Sequence, residues 1–199
     1  MRNLRLEISR KIFHIVSILL LLVPLYLWGR FSIAILMTFM LVVIFPISYF
    51  KIKNRFTLWF WQIIKWVERD KNLQMPARQA FSLAIGMLIS SLIFDEKILQ
   101  ISITSTAVYD GFATIFGLLF GKHKFPWGKS LEGTIGGILF NTAALIWVLP
   151  INYAVLISIF VAFVENFSSS DKWFLDDNLL IPIFTGIFVK FFIHQICLF

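Results

Sequence analysis

Asp110 lies in Thr104-Ser105-Thr106-Ala107-Val108-Tyr109-Asp110-Gly111-Phe112-Ala113-Thr114, a run that is otherwise apolar or small. An ionised carboxylate facing hydrocarbon is costly, so it must face a cavity or a partner. Thr104, Ala107, Asp110, Gly111, Thr114, Gly117 and Gly121 recur every three or four residues, which places them on one small, polar helix face. A helix-packing seam with a neutral, hydrogen-bonded aspartate would account for the pattern. A carboxylate followed by glycines and a basic loop points further, to metal or phosphate chemistry.

The basic loop runs Gly121-Lys122-His123-Lys124-Phe125-Pro126-Trp127-Gly128-Lys129-Ser130-Leu131-Glu132-Gly133-Thr134. Glycines let backbone amides approach phosphate oxygens, and a following helix N-terminus adds partial positive charge. Lys122 and Lys129 would complete a polyanion site with Ser130, Gly133 and Thr134. The pattern is not the P-loop of soluble nucleotide hydrolases, because Gly128-Lys129-Ser130 lacks the upstream glycine at the required spacing. The plain alternative is a positively charged connection whose glycines serve tight helix packing.

A second acidic group, Glu165 through Asp171, Asp176, Asp177 and Asn178, precedes the last apolar run. Asp177 suits a helix N-cap. Pro182 has no amide proton, so the carbonyl of Asn178 loses its helical partner and becomes an oxygen ligand near Asp176 and Asp177. Such oxygens suit Mg²⁺, which usually bridges to nucleotide phosphates. Glu7, Arg10, Lys11 and His14 are spaced i, i+3, i+4 and i+7 and share one helix face. A Glu7–Lys11 surface pair explains part of that face, and His14 fits it least. His123 and His194 have no metal-ligand spacing, and the single cysteine, Cys197, allows no disulfide within the chain.

These residues must be positioned by apolar helices. Of 199 residues, 59% are hydrophobic and only 15% charged, with 23 phenylalanines, and the mean hydropathy is +0.84. This exceeds what a soluble fold of the same length needs to bury and predicts lipid as the solvent. Apolar runs near 12–28, 31–50, 77–94, 97–121, 133–149, 151–165 and 178–199 predict an all-α, polytopic transmembrane helical bundle of about seven spans, a single integral membrane domain over 1–199. Most of the 18 Lys and Arg fall in alternate connections, which predicts a cytoplasmic N-terminus and an active site facing the cytoplasm. The same distribution explains the net charge of +7 without nucleic acid. Residues 1–28 read as a retained span, since no small-residue cleavage pattern follows the apolar stretch. Residues 56–71 interleave aromatic and charged residues like an interfacial helix, or like an aromatic belt on an ordinary connection. No internal repeat is present, which argues against a carrier built from duplicated halves.

The motifs Glu7-x-x-Arg10-Lys11-x-x-His14, Asp110-x-x-Ala113-x-x-x-Gly117-x-x-x-Gly121-Lys122, Lys129-Ser130-x-Glu132-Gly133-Thr134 and Asp177-Asn178-x-x-x-Pro182 occur in that order. Together they resemble the CTP-dependent membrane lipid kinases: dolichol kinase, phytol kinase and the CTP-dependent diacylglycerol kinase. The resemblance implies that Arg10, Lys11, Asp110 and Gly117 are needed for activity, that Lys129 to Thr134 helps bind nucleotide, and that Glu165, Asp177 and Asn178 lie at the site. Gly111 stands where an alanine is usual, and the chain is close to a minimal core. The expected reaction is transfer of the γ-phosphoryl group of CTP to a lipid alcohol, with Mg²⁺ held by Asp110 and by Asp177 or Glu165. In that scheme Lys122 and Lys129 neutralise charge, and Glu132 or Asp177 orients the hydroxyl. The alternatives are a phosphatidate-type cytidylyltransferase, whose lysine-aspartate and glycine-histidine-glycine signature is absent, and a small transporter using Asp110 as its buried charge.

Overall fold

Prolines, glycines and capping side chains set the breaks between helices. The computed structural model describes residues 2–67, 76–168 and 173–193; Cys197, His194, Asp171 and the charged end of the 56–71 segment lie outside them. Pro24 cannot donate to the carbonyl of Leu20, and the first long helix is divided there into α1 (Arg2–Leu19) and α2 (Leu22–Trp28). Gly29, at φ +75, turns the chain into α3 (Arg30–Phe39). The Ser32 hydroxyl closes this turn on the carbonyls of Pro24 at 2.8 Å and Gly29 at 2.7 Å. Ahead of Pro46 the helix widens over Met40–Ile44 before continuing as α4 (Phe45–Tyr49). There follow α5 (Leu58–Val67), α6 (Arg78–Ile93), α7 (Glu96–Phe120), α8 (Leu131–Leu145), α9 (Ile151–Phe167) and α10 (Asp177–Phe188).

Three side chains cap helices by accepting otherwise orphaned amides, each worth about 1 kcal/mol. Asp95 accepts from Ile98 at 2.9 Å at the start of α7. Ser130 accepts from Gly133 at 3.1 Å at the start of α8. Asp176 accepts from Asn178 at 3.0 Å at the start of α10. The cap of α10 is therefore Asp176, where the sequence suggested Asp177; Asp177 is the first helical residue.

Helix α7 forms the axis of the bundle, with α1, α8 and α10 packed around it. One apolar core, including Tyr109, Leu145, Ile157 and Ile181, lies among α7, α8, α9 and α10. A second, including Ile18, Ile33, Met87 and Ile103, joins α1, α3, α6 and α7. Glycines bring α8 unusually close to α7. A Cβ on Gly133 would lie 2.6 Å from the Ala113 carbonyl oxygen, and one on Gly137 would lie 2.9 Å from the Tyr109 ring. This approach sets the 121–130 loop beside the end of α7.

The seven-span arrangement is corrected by this structure. Among the described residues three helical stretches are long and apolar enough to cross a membrane: Leu4–Trp28, Arg30–Tyr49 and Glu96–Phe120. Three of the other apolar runs form α6, α8 and α9, of 16, 15 and 17 residues, where about 20 residues are needed for a span; the last forms α10, which continues as a wider helical stretch over Val189–Ile193, the end of the described residues. One side of each packs on α7 or on a neighbouring helix, in an all-α bundle dense in long-range contacts, while side chains such as Leu139, Phe163 and Phe167 stay exposed. The alternation of inside and outside connections rested on seven crossings. The polytopic integral placement and the cytoplasm-facing site fall with it.

Candidate functional site

Asp110 is 2% exposed, yet its charge is matched. Lys11 Nζ donates to both carboxylate oxygens, at 2.9 and 2.8 Å, across 99 residues of sequence. His14 Nε2 stands 3.1 Å from Oδ2. Lys11 and His14 are three apart on α1, so one helix face delivers both to the same carboxylate. Burying a carboxylate and an ammonium is tolerated only when they pair with good geometry, and a two-oxygen contact is such a geometry. The rest of that face divides off: Arg10 Nη1 pairs with Glu7 Oε1 at 3.1 Å, in place of the Glu7–Lys11 pair suggested by spacing.

A polar cleft of about 530 Å³ opens beside this cluster. Its floor is the end of α7 and the start of α8, through Thr114, Gly117, Ser130, Gly133 and Thr134. Its walls carry Lys124, Trp127, Lys129, Glu165 and Asp177. Lys129 reaches across to the C-terminal end of α9, where a cation meets the partial negative charge of the last carbonyls. Its ammonium lies 2.6 Å from Glu165 Oε1 and donates to Ser168 Oγ at 2.9 Å and to the Glu165 carbonyl. Asp177 and Glu165 are both within electrostatic reach of Lys11, so the four chain segments singled out by sequence converge here.

Burial pushes the Glu165 carboxyl above its ordinary range, although Lys129 opposes the shift. Asp176 is pushed up to about 7, mainly by burial and then by the neighbouring Asp177 carboxylate. Glu132 is pulled down to about 2, chiefly by the His123 ring. That ring sits 2.7 Å from Glu132 Oε1, and the His123 amide donates to both oxygens at 3.2 Å.

The structure sorts the sequence candidates. Gly117, Lys129, Ser130, Gly133, Thr134, Glu165 and Asp177 line the cleft. Lys122 is exposed and does not; Lys124, two residues on, takes its place. Gly121 packs against Ser130 at the loop base, where a Cβ would lie 2.9 Å from the hydroxyl. Glu132 is turned onto the loop by His123. The proline-freed carbonyl of Asn178 faces α6, where a Cβ on Gly86 would lie 2.9 Å from it, and it packs there instead of serving as a ligand. The Asn178 side chain is folded into the cap, its Nδ2 donating to Asp176 and Asp177 at 3.1 Å each. Trp127, Gly128 and Ser168 were not singled out, because nothing in their spacing marks a loop residue as facing a cleft, whereas Thr114, placed by its spacing on the polar face of α7, does line it.

A second cavity, of about 420 Å³, is apolar along most of its length, with Phe13, Leu21, Met37, Met40, Phe60 and Ile64 among its lining. Arg10, Lys11 and His14 form its polar end. The α1 side chains that hold Asp110 thus line this cavity, while Ala113 and Thr114, one turn along α7 from Asp110, line the polar cleft. The ion cluster thus ties the helix that lines the cavity to the helix whose next turn lines the cleft.

The expected metal set does not assemble. Among the described residues no group of three His, Cys, Asp or Glu side chains could hold a metal ion. Asp110 is taken up by Lys11 and His14, and Glu165 by Lys129. The CTP-dependent polytopic lipid kinase with Mg²⁺ on Asp110 is corrected accordingly: its seven-span frame and its carboxylate metal set are both missing from this arrangement. Comparison with family models, with curated proteins and with solved structures finds no match to the chain.

Proposed function

We propose that the chain is a phosphotransferase whose polar cleft receives a polyphosphorylated donor. The observation that carries this reading is a polar cleft bordered by Lys124 and Lys129 and floored by the glycine-containing start of α8. Lys129 and Lys124 supply positive charge to this cleft, and glycines at the start of α8 leave room for phosphate oxygens near a helix N-terminus. In such a transfer the acceptor oxygen bonds to phosphorus as the bridging P–O bond breaks. The acceptor proton passes to a carboxylate on the cleft wall, Glu165 or Asp177. Most of the rate gain then comes from positioning and charge neutralisation. No step is assigned to a metal.

Phosphorus NMR tests the catalytic half. The purified chain, with inorganic triphosphate as donor and a water-soluble alcohol as acceptor, should produce a phosphate monoester resonance that Lys129→Met abolishes. No monoester from the native chain, or an undiminished yield from Lys129→Met, would overturn it.

A further inference from the structure

The polar cleft has a rim that phosphate alone does not explain. Residues 123–131 form a hairpin: Phe125 N donates to the Lys129 carbonyl at 2.8 Å, Leu131 N to that of His123 at 2.9 Å, and Gly128 N to that of Phe125 at 2.9 Å. Pro126 fits the second position of this turn, and Gly128, at φ +90, adopts the left-handed backbone that favours glycine. The turn carries Trp127 at its tip. The indole stacks on Phe125, with centroids 5.1 Å apart and planes 12° from parallel. Trp127 is nonetheless 58% exposed, so its other face is open, and the residue lines the cleft.

The ring is also fixed in orientation. Its Nε1 donates to Asn166 Oδ1 at 3.1 Å, and Asn166 Nδ2 donates to the Ala162 carbonyl at 2.8 Å, which sets the amide so that its oxygen meets the indole. A large apolar ring held open to solvent in this way, beside Lys124 and Lys129, is costly unless something covers it. Aromatic faces pair with planar rings, and nucleobases are planar rings that come attached to phosphates.

We infer that Trp127 is the specificity-determining platform of the cleft, stacking the base of a nucleoside polyphosphate whose phosphate chain extends toward Lys129 and the start of α8. The inference rests on the phosphate reading of the cleft and adds the class of ligand. Trp127 selects by ring stacking, so it favours ring-bearing polyphosphates over inorganic ones without discriminating strongly among bases. Phe125 backs the platform, and Asn166 holds its angle.

Equilibrium binding of ATP, CTP and inorganic triphosphate to the native chain, Trp127→Ala and Trp127→Phe tests this. Native protein should bind both nucleotides more tightly than triphosphate. Trp127→Ala should weaken both nucleotides about tenfold, a stacking-sized loss, and leave triphosphate unchanged. Trp127→Phe should recover most of the loss. Equal weakening of all three ligands by Trp127→Ala, or of none, would overturn the platform while the phosphate reading stands. Nucleotide binding that depends on Trp127 without any triphosphate binding would uphold the platform and overturn the phosphate reading. Binding of none of the three overturns both.

Discussion

Asp110 and Glu165 are both buried carboxylates held by a lysine at hydrogen-bonding distance, 2.8 Å and 2.6 Å respectively, yet their surroundings differ. Asp110 sits in the middle of the central helix, with Lys11 and His14 both arriving from α1. Glu165 sits at the end of α9, and its lysine comes from a loop that borders an open cleft. The first pair therefore belongs to the packing of α1 on α7. The second can exchange its lysine's partner for a ligand's phosphate. Similar distances thus serve two ends, and substitutions can separate them.

The largest effect is expected at the closed pair. Asp110→Ala leaves the half-buried Lys11 without its ion-pair partner and should cost about 3 kcal/mol of stability. The double variant Lys11→Met/Asp110→Leu, which removes both charges, should recover much of that loss in a denaturant titration. A double variant as unstable as the single would show that the pair is not what joins α1 to α7. Lys129→Met should do the reverse. It should cost less stability than Asp110→Ala, because Glu165, left without its lysine, can take up the proton that burial already favours, while it removes phosphate binding.

A smaller effect separates acids by pH. Asp176 holds its proton to about pH 7 in the folded chain, whereas an unfolded aspartate loses it near 3.9. The stability it supports is fully present below about pH 4, declines as pH rises to about 7, and is level above that. Asp176→Asn keeps a capping oxygen for Asn178 and should flatten this decline in melting temperatures taken from pH 4 to 8. An unchanged slope would place the titrating group elsewhere. The least effect is expected at Glu132, which is turned toward His123 and outside the cleft. Glu132→Gln should leave both melting temperature at pH 7 and ligand affinity unaltered, and a collapse of transfer activity in this variant would return Glu132 to the site.

The same comparison shows how much of the molecule could be read from its residues. The apolar runs mark where most helices lie, since α3, α6, α7, α8 and α9 each fall in or near one. Their hydropathy does not say whether an apolar side is spent on lipid or on a neighbouring helix, and that is where the span count failed. Asp110 was legible as a carboxylate in need of a partner. Lys11 as that partner was not, because the pairing depends on how α1 lies along α7. In the motif Lys129-Ser130-x-Glu132-Gly133-Thr134, taken from the resemblance, Ser130 caps α8 and Gly133 permits its close approach to α7, roles that its local spacing carries, whereas Glu132 turns onto His123, which the spacing did not show. Lys122 and Lys124 look alike in sequence, and only the hairpin decides which of them borders the cleft.

The central claim, that the cleft beside Lys129 receives phosphate groups, is tested most directly by calorimetric titration of inorganic triphosphate into the native chain, Lys122→Gln and Lys129→Met. Native protein and Lys122→Gln should bind with the same affinity, weakening as salt is raised, and Lys129→Met should bind at least tenfold more weakly while still folded. Equal loss in the two lysine variants would mean that only net charge is sensed, and no binding to the native chain would contradict the account.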